Sequence, residues 1–553
     1  MRLLRNTESF MKKNLLNKTI AFGLAVLFTA IACACGVPVD EPAQSTASLV
    51  LPTATPAPRP VSGGEVRMPM PVNADVSDPL AVTSEELLAL FSLIYESVLG
   101  IDDSGKIIPG LAENWSCDET GRVWTFRLRA AARWHDTGAS ITSADVVSTY
   151  QRIVSLGANT HYSYVTTRVE SMVAMEDGSL VVTMRQGGLA SLYALTFPVM
   201  RGGAPEADGT PVGTGPYKAL SVTDDAMRLI VNTNWWKQTP YIEAFTFYAK
   251  DSNEIALASY EAGQLDLVPT SALSVGRYRE DGVTNVLDVM TQTAEVMLIN
   301  YDNANLRDVK VRMAIACAIN RGHIITNVYM NRAQACDVPV APDAWLYESK
   351  SKLYDYNTTV ALSLLAESGW SDVDGDGYLE KDGQHYNEMT LRLLVNDSTD
   401  AARKSAADMI AQQLEAVGIH IELITAGYAL GDDASEYLSK LSLREFDLAL
   451  IGFNLGRDCD LTQYIAQNGR NNYGGYSNAA LEQLAQNILT VADETGMREA
   501  ASEFQMRFAQ ELPFITLYFR LNSLLYSADI QGISSAREPD ILRSADKWYL
   551  LSE

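Results

Sequence analysis

The segment Val123-Trp124-Thr125-Phe126-Arg127-Leu128-Arg129 alternates: Trp124, Phe126 and Leu128 fall on one face of an extended chain, Thr125, Arg127 and Arg129 on the other. Successive side chains of a strand point to opposite faces, so the segment reads as a half-buried strand. Leu180 to Met184 repeats the pattern, and residues 242–247, 389–395, 419–424 and 447–451 read as further strands. Helical periodicities run between them. After Thr83-Ser84-Glu85-Glu86, a capping box in which the Thr83 hydroxyl and the Glu86 carboxylate would satisfy the first helical amides, Leu87, Leu90, Phe91, Ile94 and Val98 recur at helical spacing. Residues 253–262, 311–329, 401–417, 480–491 and 497–512 read as helices, three of them stopped by Gly263, Gly418 and Pro513. Strands and helices mixed over 553 residues predict an α/β protein with several sheets in two or three packed lobes.

With 43 basic against 68 acidic residues, the formal net charge is −25, which opposes any broad phosphate-neutralising surface. Nucleic acid and anionic lipid surfaces are therefore not expected partners. Six cysteines are too few for a disulfide scaffold of this length. Cys117, Cys317, Cys336 and Cys459 lack CxxC or metal-finger spacing and read as free thiols, with a disulfide as the alternative.

The chain opens with Arg2, Arg5, Lys12, Lys13 and Lys18 before an uncharged apolar run from Ile20 to Ala34, the layout of a secretory signal. Met11 is as good a start as Met1. The run is shorter than the roughly 20 residues of a membrane span. It ends in Thr29-Ala30-Ile31-Ala32-Cys33-Ala34-Cys35-Gly36, which resembles a bacterial lipobox; either Cys35 or Cys33 is the expected site of lipidation. From Gly36 to Gly64, six prolines among Ser, Thr and Ala form a semi-extended tether. Such a chain would be held at the outer face of the cytoplasmic membrane, in the periplasm if the cell has two membranes.

Enzyme signatures are missing. There is no GxSxG elbow, P-loop, HExxH or paired-glycine dinucleotide loop, and Pro216 directly after Gly213-Thr214-Gly215 blocks a helix-starting phosphate cradle. His135, His161, His323, His385 and His420 stand singly. Asp372-Val373-Asp374-Gly375-Asp376-Gly377-Tyr378-Leu379-Glu380 has the first half of a calcium loop, with Asp372, Asp374 and Asp376 at alternate positions, but Gly383 occupies the twelfth position, where a bidentate acid belongs. The expectation is a tight turn without functional metal, the other reading being a non-standard site closed by Glu380 or Asp382.

Several blocks, in order, resemble family 5 of the bacterial solute-binding proteins, the peptide, dipeptide and nickel receptors of ABC importers. They are Tyr95-Glu96-Ser97-Val98-Leu99, Gly105 to Trp115, Trp124 to Arg129, Trp134-His135-Asp136, Thr142 to Val147, Pro211 to Tyr217, Asn234-Trp235-Trp236 and Gly263 to Asp266. Asp308 to Arg312, Ala318 to Arg321, Gly474 to Asn478 and Trp548-Tyr549-Leu550 continue the series. The resemblance implies a two-lobed α/β fold of the periplasmic-binding-protein type (type II, with an extra subdomain) and a ligand cleft between the lobes. By that similarity, after the signal (1–35) and tether (36–64), lobe I would comprise residues 65–115, 200–275 and 520–553. An inserted subdomain would fill 116–199, and lobe II 276–519.

In peptide-binding members a Gly-Trp-x-Ala-Asp-Tyr segment supplies backbone hydrogen bonds and a carboxylate for the peptide α-ammonium. The matching stretch here is Gly452-Phe453-Asn454-Leu455-Gly456-Arg457-Asp458-Cys459-Asp460, whose aromatic residue is present but whose carboxylate is displaced. Two readings follow: Asp458 takes the ammonium, with Asp460 nearby, or Arg457 receives an anionic group of the ligand. Thr83, Ser84 and Glu85 at a helix start, Asn300 and Tyr301 at the entry to lobe II, and Trp345 at the cleft mouth complete the candidate set.

The resulting expectation is a lipid-anchored, monomeric, non-enzymatic receptor without a cofactor. It would capture a small solute, an oligopeptide first, and deliver it to an ABC permease with its ATPase subunits. The alternatives are a non-peptide solute (nickel chelate, oligosaccharide or anionic small molecule) and an extracytoplasmic hydrolase.

Overall fold

The computed structural model describes residues 60–82, 84–381, 388–396, 401–427, 435–456 and 460–551. The signal, the tether, Cys33, Cys35, Thr83, Arg457 and Asp458 lie outside them. Among the described residues no helix is long and apolar enough to cross a membrane.

Three sheets carry the architecture. In the first, Glu65–Pro71 pairs in parallel with Ala244–Lys250, followed by Ala226–Val231 and Tyr217–Val222 in antiparallel order. The second is an antiparallel sheet of Ala112–Cys117, Val123–Leu128, Leu180–Met184 and Val169–Ala174. Trp124 and Phe126 are buried there, while Thr125 and Arg127 face outward, as the alternation requires.

The third sheet has seven strands. Its main path runs Leu267–Thr270, Ile515–Ser527, Thr284–Ile299, Leu448–Asn454, Thr390–Asn396 and His420–Ala426, with Ala333–Ala335 also on Ile515–Ser527. Met297, Ile299, Leu391 and Leu393 pack on Ile410 and Leu414 of the Ala401–Glu415 helix. Val296, Leu298 and Phe453 belong to the other core, with Phe504 and Phe508 of the Glu494–Glu511 helix. A sheet covered on both faces explains why its strands read as apolar runs rather than as clean alternations.

Thr284–Ile299 and Ile515–Ser527 are the longest strands and run antiparallel beside each other. The sequence reading missed both. Their register breaks between Met290 and Ala294, leaving Thr291, Gln292 and Thr293 as a bulge. Bulges bend and twist a strand pair.

Two local expectations need correction. The first helix starts one residue later than the capping box implied: Ser84 is the N-cap of Glu85–Ile94 without a side-chain cap bond, and its hydroxyl donates to the Glu86 carboxylate instead. The single helix expected over 311–329 is two, Val309–Ala318 and Arg321–Asn327. The break occurs because the Asn320 side chain accepts from His323 N, capping a new helix, while Asn320 N donates to Gln413 Oε1.

The quoted sequence blocks converge as scaffolding. Glu96 accepts hydrogen bonds from Trp235 Nε1 (3.2 Å), Trp236 Nε1 (2.9 Å) and Thr214 Oγ1 (3.0 Å). Burial raises the Glu96 pKa, opposed by Lys237 and these donors. Gly213 and Gly215 pass so close to the Ile94 carbonyl that a Cβ on either would lie within 3 Å of it. That pair therefore serves a tight backbone crossing. Arg312, nearly wholly buried, donates to the carbonyls of Leu306, Arg307, Glu511 and Leu512 and so ties off the end of the Glu494–Glu511 helix. Cys117, Cys317 and Cys336 are free thiols; Cys459 lies outside the described residues.

Candidate functional site

The strands Leu448–Asn454, Thr390–Asn396 and His420–Ala426 are mutually parallel neighbours, so their carboxyl ends, at Asn454, Asn396 and Ala426, lie along one edge of the sheet. In open α/β sheets ligands bind outside the carboxyl ends of the strands. Asn454 also pairs with Thr293 in the bulge, which places that edge at the middle of the two long strands.

A polar network fills this junction. Glu295, 2% exposed, forms a two-pronged ion pair with Arg403 (2.8 Å from both Nε and Nη2), and Arg403 Nη1 donates to Asn396 Oδ1 at 3.0 Å. Arg520 reaches Glu295 at 3.6 Å from the neighbouring long strand. The planar guanidinium fork satisfies both carboxylate oxygens, the condition under which a buried ion pair is tolerated. A Cβ on Gly452 would meet Arg403 Nη2 at 2.8 Å and Thr293 Cγ2 at 3.0 Å, so any larger residue must displace one of these side chains.

Next to it, Gln292 Nε2 donates to the Glu538 carbonyl at 3.1 Å, and Leu455 N donates to the Gln292 carbonyl at 2.9 Å. The Glu538 side chain accepts from Asn522 Nδ2. Burial pushes the Glu538 pKa up to about 7; Glu85 and Glu86 add to the rise, while Asn522 and Arg520 oppose it. Acids from the start of the first helix and from the C-terminal segment thus share one field beside Arg520.

Of the residues expected from the sequence, Ser84, Glu85, Asn454 and Leu455 belong to the elements that meet here. Glu85 and Asn454 are exposed, Ser84 is half-buried and Leu455 is buried. Phe453 is core, its ring 4.5 Å from that of Tyr464 and 5.6 Å from that of Phe514. Asp460 holds Thr462 and pairs at 3.2 Å with Arg168, which directly precedes the second sheet's Val169–Ala174 strand.

Asn300 and Tyr301 are engaged elsewhere. The Asn300 amide donates to the Phe446 and Arg444 carbonyls, and Tyr301 donates to the Leu512 carbonyl while its ring meets Tyr476 at 5.1 Å. Trp345 bridges distant parts of the chain: its amide donates to Ser104 O at 2.9 Å, its indole to Tyr193 Oη at 3.3 Å, and Arg498 donates to its carbonyl.

Sequence reading did not find Gln292, Glu295, Arg403, Arg520, Asn522 or Glu538. Glu295 had a signal, a lone acid directly before the apolar Val296-Met297-Leu298-Ile299; the others depend on long-range contacts. A cavity of about 180 Å³ opens elsewhere, beside Arg321, Asp337 and Tyr354. Its charged groups are already spent on each other, since Arg321 bonds Asp337 and the Cys336 and Tyr354 carbonyls.

A family model described as bacterial extracellular solute-binding proteins, family 5 Middle, matches residues 106–474. The chain is 23% identical to the oligopeptide-binding protein AppA of Bacillus subtilis, over 89% of this chain and 92% of that one. It is 24% identical to the nickel-binding periplasmic protein of Escherichia coli, over 65% and 71%. The solved structure of HbpA2 from Haemophilus parasuis superposes with a TM-score of 0.75 at 20% identity, covering 88% of this chain and 100% of that one. The fold is the two-lobed α/β fold of these binding proteins.

Proposed function

The chain belongs to the bacterial extracellular solute-binding proteins of family 5, and from that premise we propose that it captures an oligopeptide between its lobes and hands it to an ABC permease. The observation that carries the reading is Glu538, which lies in the field of Glu85 and Glu86 and is tied through Gln292 of the bulge to Leu455 just past the Leu448–Asn454 strand. A carboxylate whose pKa is raised to about 7 by desolvation, with neighbouring acids adding to the rise, is stabilised as an anion by an incoming cation, and a peptide supplies one in its α-ammonium.

Asp458, four residues beyond Asn454, is the proposed direct partner of that ammonium. Arg457 beside it, with Arg520, would receive a carboxylate if the ligand presents one instead. The lobes would close about the two long strands, turning at Thr291–Thr293, with the lobe limits near residues 275 and 519. Lipidation at Cys35 or Cys33 and the proline-rich tether would hold the monomer beside its permease, raising the local concentration of captured solute. The match to an oligopeptide-binding protein over 92% of its length puts a peptide first, and the match to a nickel-binding relative makes a nickel chelate the second reading, ahead of an oligosaccharide or anionic small molecule.

The test is thermal unfolding of the purified protein, refolded to strip carried-over ligand, against dipeptides, longer peptides, nickel chelates and oligosaccharides. A ligand of the native state must raise the midpoint. The expected result is a rise with peptides that Asp458→Ala abolishes; a rise with non-peptides alone would overturn the reading.

A further inference from the structure

The turn joining Trp370–Ser371 to Glu380–Lys381 packs beside the outermost strand of the seven-stranded sheet. Leu379 N donates to Gly418 O at 2.9 Å, and the Tyr378 ring meets His420 edge-on at 5.2 Å. In this turn, carboxylate oxygens of Asp372, Asp374, Asp376 and Glu380 all lie within 4.8 Å of one another. Among the described residues no lysine or arginine forms an ion pair with any of the four. Like charges this close repel, and among the described residues backbone amides donate to the four carboxylates but no cationic side chain pairs with them.

Acidic turns on a surface are common, and the three aspartates are exposed. Glu380 is different. Its side chain is wholly buried; Oε2 accepts from Val373 N at 2.8 Å, while Oε1 is buried without a hydrogen-bond partner. An orphaned oxygen on a buried carboxylate inside a cluster of acids marks the place of a cation.

We propose that this turn is a calcium site, closed by Glu380 rather than by the missing twelfth-position acid. Counting from Asp372, the ligands occupy positions 1, 3 and 5 of a calcium loop, Gly377 takes the sharp turn at position 6 with φ +99°, Tyr378 offers its carbonyl at position 7, and Glu380 stands at position 9. The donor set selects the ion: carboxylates and a backbone carbonyl on an irregular turn suit calcium, which accepts six to eight oxygens in flexible geometry, whereas magnesium demands a near-ideal octahedron. The bound ion would pin the turn to Gly418 and His420 and so brace the sheet edge. The site is independent of the solute-binding reading.

The test is terbium luminescence on the full chain stripped with a chelator, excited through the neighbouring Tyr378 and Trp370. One terbium per chain is expected, displaced by calcium chloride at about 10⁻⁴–10⁻³ M, the range of extracellular calcium modules, and by magnesium only at tenfold or more higher concentration. Glu380→Gln should weaken calcium at least tenfold, and so should Asp374→Asn, whose exposed position leaves folding untouched. Absence of sensitised emission, emission unchanged in Asp374→Asn, or magnesium competing as well as calcium would each overturn the assignment.

Discussion

The backbone of Gly452 packs directly against the Arg403 guanidinium: a Cβ there would lie 2.8 Å from Nη2 and 3.4 Å from Glu295 Oε1. The close approach lets a charged pair sit at the junction of the two long strands. In Gly452→Ala the Arg403 fork or the Thr293 methyl, 3.0 Å away, must shift, and overpacking of this kind costs about 1–3 kcal/mol. A urea titration should show the lowered midpoint with an unchanged slope.

The Glu295–Arg403 pair is buried, with side chains 2% and 14% exposed. Removing one partner strands the other's charge, so Glu295→Ala and Arg403→Ala should each lose about 3–5 kcal/mol. Replacing both by methionine should cost less than the sum of the two. Additive losses in a double-mutant cycle would show that the pair does not act as a unit.

Stability against pH separates two half-buried groups of opposite sign. Glu538 is raised from 4.5 to about 7, so across that window the folded state holds more protons than the unfolded chain and stability falls as pH rises. His135 is lowered by burial from 6.5 to about 4; there the unfolded chain holds more protons, so stability is lost as pH falls through that window. Its ring is fixed by Gly213 N donating to Nδ1 and Nε2 lying 3.0 Å from the Gly215 carbonyl. Glu538→Gln should therefore shift the stability maximum to higher pH, as chemical denaturation at steps across both windows would reveal.

Trp345 holds Ser104 through its amide and Tyr193 through its indole. Trp345→Phe keeps the apolar contact and loses one hydrogen bond, about 0.5–1.5 kcal/mol. Trp345→Ala should lose up to roughly 3 kcal/mol in the same thermal assay, the low end of the range for a buried aromatic, because the ring is half-buried.

Local signals carried much of this architecture. The strand at Leu180–Met184 and the helix end at Gly263 follow from alternation and punctuation that need no tertiary knowledge. The two long strands escaped notice because Thr284–Ile299 changes its burial pattern at a bulge and Ile515–Phe519 is buried on both faces, so neither alternates. The helix break at Asn320 was written in a capping residue, yet the apolar residues on both sides masked it. The site was the least legible part. Asn454 and Leu455 could be placed by motif, but Glu538 meets Asn522 and Gln292 only through the fold. The contact of the Asn300 amide with the Phe446 carbonyl likewise arises only through the fold.

The central claim is a peptide ammonium met by carboxylates at the bulge, and it is tested most directly by calorimetric titration of one peptide in two forms, with a free and with an acetylated amino terminus. The account predicts that the free form binds, that acetylation weakens it at least tenfold, and that Asp458→Asn removes the difference. Equal binding of both forms, or binding of an oligosaccharide or nickel chelate where no peptide binds, would contradict it.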